Sequence, residues 1–102
     1  VEQETYSVYV IDMYHYDKDE DFTVHGFATL EVAKEYARRR TRSSVEESRC
    51  KDPESTSRAW HQWGESCFVV GGDYSANTEL DFFIANKATP EECDFASIEP
   101  KD

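Results

Sequence analysis

The stretch TYSVYVIDMYHY, residues 5–16, constrains this chain more than any other. Val, Ile and Tyr dominate it, and helix formers are scarce, so it reads as a long strand. FTVHGF, residues 22–27, reads as a second strand, and the charged residues 17–21 between them suit a hairpin tip. Pairing Tyr16 with Phe22 places Tyr6, Val8, Val10, Asp12, Tyr14, Tyr16, Phe22 and Val24 on one face. Tyr9, Ile11, Met13, His15, His25 and Phe27 fall on the other. Both faces are apolar, whereas a sheet with one wet face alternates more cleanly. The second face therefore calls for a cover: the C-terminal segment, a bound molecule or another copy of the chain.

A helical code follows. Thr29 is placed to cap a first turn that carries Glu31. Leu30, Ala33, Tyr36, Ala37 and Val45 recur near helical spacing, which predicts a long amphipathic helix to about residue 48, its inward stripe interrupted at Arg40 and Thr41. Asp52-Pro53-Glu54 is a cap, a first-position proline and an acidic first turn for a second helix, closed by Gly64 in a left-handed cap. SCFVVGG, residues 66–72, and LDFFIAN, residues 80–86, read as a second hairpin. Thr89, Pro90 and Glu92 then form a capping box for a last short helix.

The expected architecture is α+β. A four-stranded, mostly antiparallel sheet is built from two hairpins in the order β-β-α-α-β-β-α, with helices packed on one face. The 102 residues suit one α+β domain spanning 1–102, with flexible ends at 1–4 and 99–102.

Charge narrows the choice of partner. The net charge is −11, distributed as −7 over residues 1–37, +3 over 38–49 and −7 over 50–102. Such a surface repels nucleic acid and anionic lipid and favours a protein with a basic face. The basic island RRRTR, residues 38–42, lies between acidic regions and reads as an internal counter-charge. Cys50, Cys67 and Cys93 are odd in number and form no C-x-x-C pair. With no signal-peptide pattern or membrane-length apolar run, reduced thiols in the cytoplasm are the expectation.

The chemical constellations are weaker. Asp17, Asp19 and Asp21 resemble the front of a calcium loop, but a loop starting at Asp17 meets Phe22 where Gly is needed and Ala28 where a bidentate Glu is needed. A solvated hairpin tip is the reading. Gly71-Gly72-Asp73 follows a strand but leads into no helix, so it reads as a bend and not a phosphate cradle. His15 and His25 share a hairpin face, yet nothing fixes a third metal ligand; His61 reads as surface. Cys67 opens an apolar strand, where a thiol is inert packing.

The most informative residues are polar ones in apolar settings. Asp12 and Asp81 lie inside expected strands, and Arg40 interrupts the stripe of the long helix. A buried carboxylate is costly without a partner, so an Arg40–Asp12 or Arg40–Asp81 bridge is expected between helix and sheet. In its functional version the bridge sits in a ligand-binding pocket with Tyr14, His25, Tyr36 and Trp60. Trp60 and Trp63 read as core anchors; an exposed one points to an interface.

The leading reading is a small acidic cytoplasmic domain, a non-enzymatic protein-interaction or regulatory module that self-associates as a homodimer. It needs no cofactor or metal. Its partner is itself or a protein with a basic face; neither direct nucleic-acid nor membrane binding is expected. One alternative is a small-molecule-binding domain with a pocket between helix and sheet. Another is an acidic nucleic-acid mimic that inhibits a basic protein. The best enzyme version pairs His25 with Asp12 or Asp81 as acid and base, although spacing alone does not bring them together.

Overall fold

A computed structural model describes residues 6–12 and 22–100, with the backbone alone at Asp12. The elements are β1 (Tyr6–Asp12), β2 (Phe22–Phe27), α1 (Leu30–Glu47), α2 (Pro53–Trp63), β3 (Glu65–Val70) and α3 (Leu80–Ala85). Short 3-10 turns occupy Ala76–Glu79, Glu91–Cys93 and Ala96–Ile98. The hairpin tip at residues 17–21, with Met13, Tyr14, His15 and Tyr16, lies outside the described residues.

The sheet has three strands in the order β2-β1-β3, both pairings antiparallel. This overturns the four-stranded expectation at its second hairpin. LDFFIA forms α3, with Leu80, Phe83 and Ile84 buried and Asp81 and Phe82 exposed. Apolar residues at i, i+3 and i+4 are a helix stripe, and that spacing outweighs the strand propensity of two Phe and an Ile. Downstream of β3 the chain instead returns along the strand's outer edge. There Val69 N–H donates to Tyr74 O at 2.9 Å, and Phe68 and Ser75 form an isolated bridge.

The first hairpin differs in register as well. β1 and β2 pair Val8 with Val24 and Val10 with Phe22, but a bulge shifts the ladder so that Tyr6 opposes Phe27. Gly26, at φ 96°, lies within the shifted segment, where a side chain would be strained. The extra residue turns Phe27 onto the same face as Val8 and Val24, and it is buried there against Tyr36, ring centroids 4.9 Å apart. The simple alternation put Phe27 on the opposite face.

α1 covers one face of the sheet. Val8, Val10, Phe27, Cys67 and Val69 meet Ala33, Tyr36 and Ala37 in a single buried cluster, with Phe95 and Ile98 packed at its margin. A second cluster lies beyond α1, where Val45, Trp60, Ala76, Leu80, Phe83 and Ile84 join α1 to α2 and α3. The caps hold as the residue types dictate. Thr29 Oγ1 accepts from Val32 N–H at 3.1 Å, and Asp52 Oδ1 accepts from Ser55 N–H at 2.7 Å. Thr89 and Glu92 exchange a reciprocal pair at 3.2 and 2.9 Å, although the turn that they open is 3-10. Gly64 ends α2 at φ −86°, extended and not left-handed. Glycine is required there for space, since a Cβ would lie 2.4 Å from Trp60 Cδ1. Among the described residues no helix is long and apolar enough to cross a membrane.

The face of the sheet turned away from α1 is set by the same alternation. It carries Ser7, Tyr9 and Ile11 from β1, Thr23 and His25 from β2, and Ser66, Phe68 and Val70 from β3. Tyr9 and Phe68 are cross-strand neighbours with ring centroids 5.2 Å apart, and Ser7 Oγ lies 3.0 Å from His25 Nδ1. Neither buried core cluster draws a residue from this face; Val70 on it is exposed, whereas Ser66 is only 4% exposed.

Candidate functional site

Arg40 sits two-thirds of the way along α1, where its side chain reaches the start of β3. Its Nε donates to Glu65 Oε1 at 3.0 Å, Nη2 to Glu65 Oε2 at 3.4 Å, and Nη1 to Tyr36 Oη at 2.8 Å. Tyr36 Oη in turn donates to Glu99 Oε1 at 3.2 Å. The guanidinium carbon lies 4.9 Å from the Phe22 ring centroid and 4.8 Å from that of Phe95. Helix, both outer strands of the sheet and the C-terminal segment therefore meet at one cation. Burial pushes the Tyr36 hydroxyl up to about 12, so it remains a neutral donor at physiological pH.

A helix-to-sheet bridge at Arg40 is thus present, but its carboxylate is Glu65. Asp81 is exposed on α3, on the far side of α1 from the sheet. Asp12 faces Glu65 across the β1–β3 ladder, and its side chain is outside the described set. Glu65 was missed because it follows Gly64 at the mouth of a strand, where a charge looks like ordinary solvent exposure. No sequence signal singled it out, because its place beside Arg40 is set by the tertiary fold.

The other predicted pocket residues do not converge. Tyr36 joins Arg40. Trp60 is buried in the second cluster, donating Nε1–H to Ser44 Oγ at 2.8 Å. His25 lies on the sheet's far face, separated from Asp81 by the sheet and α1, so that acid–base pair is not assembled. Tyr14 lies outside the described residues. The first core cluster packs the space between α1 and the middle of the sheet.

Open space lies beside Arg40 instead. A cleft of about 440 Å³ is lined by Arg40, Ser43, Glu47, Ser48, Trp63 and Glu65, with Phe95 at its edge. Trp63, read from sequence as a core anchor with Trp60, is 54% exposed here. Helix α2 turns Trp60 inward and leaves Trp63, one position short of a full turn, at the rim.

The basic island is absorbed internally. Arg38 pairs with Glu79 at 3.3 Å, Arg39 with Glu35 at 2.7 Å and Arg42 with Glu92 at 3.4 Å. Arg42 is only 4% exposed, and its Nη2 donates to Asn86 O at 2.7 Å. Arg49, just past the end of α1, donates to Phe83 O and Ile84 O, which puts a cation on the C-terminal carbonyls of α3, where the helix dipole favours it.

Among the described residues no group of three or more His, Cys, Asp and Glu side chains is positioned to hold a metal. Cys67 is buried, and burial pushes its thiol up to about 12, which keeps it protonated and a poor nucleophile. Comparison with protein-family models, curated proteins and solved structures found no match.

Proposed function

We propose that this chain is an acidic, non-enzymatic protein-interaction module that self-associates through the sheet face turned away from α1. One observation carries the reading. Of 102 residues 22 are acidic, yet Ser7, Tyr9, Ile11, Thr23, His25, Ser66, Phe68 and Val70 include none. Elsewhere two copies at −11 each repel on approach. The described residues of this face bring no carboxylates into opposition. The cross-strand ring pair Tyr9–Phe68, flanked by Ile11 and Val70, supplies apolar area at its centre.

A two-fold dimer needs one self-complementary patch, and a flat antiparallel face packed on its own copy provides it. The three cysteines, all free, support a reducing compartment, and we place the protein in the cytoplasm on that basis. Amide shifts recorded over a dilution series test the interface. Thr23, Phe68 and Val70 should move together with concentration while the outer turns of α2 stay fixed. Shifts that are absent, or that cluster on the helices, remove this reading.

A further inference from the structure

One edge of the sheet is left open by the described chain. On the β3 side Val69 N–H donates to Tyr74 O at 2.9 Å and Phe68 bridges Ser75, so that edge is covered. The same bond fixes the phase of the ladder. Val69 turns its N–H away from β1, so Val8 and Val69 oppose each other without mutual hydrogen bonds, and the backbone groups of Val8 turn toward β2. They meet Val24 there, and the alternation then turns Thr23 N–H and C=O outward, past the edge of β2. Among the described residues no group bonds to either. Beside them lies a space of about 340 Å³, lined by Phe22, Thr23, Val24 and His25 on the strand side and by Glu99 and Pro100 opposite. Pro100 closes the end at Gly26, where a Cβ on the glycine would meet it at 3.4 Å, and a proline has no N–H with which to extend the ladder. Glu99 accepts from Tyr36 Oη, a neutral donor, and forms no ion pair among the described residues. The cation of that network, Arg40, has its Nε and Nη2 on Glu65.

We propose that the β2 edge takes up an extended segment of a partner protein as an added strand, and that the segment carries Lys or Arg at alternate positions. Bonds to Thr23 N–H and C=O hold its backbone, as at other open strand edges. Side chains of a strand alternate between faces, so one set of the segment's residues lies on the α1 side with Phe22, Val24 and Glu99, and a cation in that set meets an unpaired carboxylate. The partner is a different protein and not a second copy. A second β2 would bring a second Glu99 to the seam, together with another run 17–21, which holds four acids and one Lys directly before Phe22 in sequence. The net charge of −11 steers a basic segment inward over long range. The site uses the strand edge and stands whether or not the far face self-associates.

The test is a titration of the folded chain with acetyl-Lys-Val-Lys-Val-Lys-amide at about 0.15 M salt, where diffuse surface attraction is screened. Amide hydrogen exchange at Thr23 should slow as the peptide saturates, while that at Val69, already bonded, stays as it was. Two N-methylated peptides read the geometry. Methylating one alternate set of peptide amides should abolish binding, and methylating the other set, which faces away from β2, should leave it intact. Replacing the three Lys by Gln should weaken binding about tenfold, and Glu99→Gln in the protein about threefold. Thr23→Pro removes an outward N–H without touching the bonds to β1, and should abolish the response in a chain whose dispersed spectra show that it folds. Val70→Glu, altered only on the far face, should bind like the parent. Unchanged exchange at Thr23, equal effects of the two methylated sets, or equal binding of the Gln peptide would overturn the assignment.

Discussion

Arg40 Nε lies 3.0 Å from Glu65 Oε1, and this pair ties the middle of α1 to the first residue of β3. The Arg40 side chain is 15% exposed and that of Glu65 30%, so the pair is neither a surface ornament nor fully desolvated. Removing one member strands the other in a partly dry setting. Arg40→Met should cost about 2–3 kcal/mol, and a cycle with Glu65→Gln should show coupling of about 1–2 kcal/mol. Urea midpoints of the four proteins measure it. Additive effects would mean that the two side chains act independently.

Gly64 has a similarly local test. A Cβ at this position meets Trp60 Cδ1 at 2.4 Å and Trp60 O at 2.8 Å, and Trp60 is held by its bond to Ser44. Gly64→Ala should destabilise by about 1–3 kcal/mol, as overpacking does. Thermal unfolding of the variant reads this directly, and an unchanged midpoint would show that the α2–β3 junction can shift.

The thiols separate by exposure. Cys50 is exposed, Cys93 half-buried and Cys67 buried. An aromatic disulfide reagent should label one thiol quickly, a second more slowly, and the third only with unfolding. The pKa of Cys93 is raised by its partial burial, which slows the second step further. Two thiols labelled at equal fast rates would contradict the placement of Cys93.

Stability should fall at both ends of the pH scale, for opposite reasons. The Arg49 guanidinium, aided by Ala88 N–H, holds Glu46 below the usual carboxylate range. A depressed carboxylate stabilises the fold above its unfolded pKa, and that contribution is lost as pH falls through the folded value. Glu46→Gln should therefore show a shallower loss of stability on acidification. Cys67 is the reverse case, raised by burial from 9.0 to about 12. Its contribution is complete below 9.0 and disappears as pH climbs toward about 12. Cys67→Ala should flatten the alkaline limb, measured as the difference between variant and parent urea midpoints.

How far the sequence carried can be seen residue by residue. Thr29, Asp52 and the Thr89–Glu92 pair were legible because a cap depends on a few adjacent residues. The stripe Ala33, Tyr36, Ala37 and Val45 was legible because eighteen residues give the helical period room to show. α3 was not, since six residues rich in Phe and Ile satisfy either period. The face of Phe27 depended on a bulge at Gly26, and one inserted residue reverses the side of everything beyond it. At Arg40 the need for a carboxylate was readable from the apolar stripe around it, whereas its identity was a tertiary fact. Trp63 looked like Trp60 in composition, and only the angular position on α2 separated a core anchor from a rim residue.

The internal use of the basic island also yields a prediction. Arg42 is held by Asn86 O and Glu92 and lies 5.1 Å from the Phe83 ring centroid. Arg42→Lys keeps the charge but loses the fork that spans these groups, and should still cost about 1–3 kcal/mol. If lysine restores parental stability in urea, charge alone suffices at that position.

Sedimentation equilibrium of the parent chain and of Val70→Glu tests the central claim most directly. Across roughly 10–500 μM protein the parent should pass from monomer to dimer, and more readily at about 0.5 M than at about 0.05 M salt, because screening relieves repulsion between the acidic copies. Val70→Glu, which places a carboxylate among described face residues that include none, should remain monomeric. A parent chain that stays monomeric over the whole range, or a variant that dimerises equally well, would contradict the account.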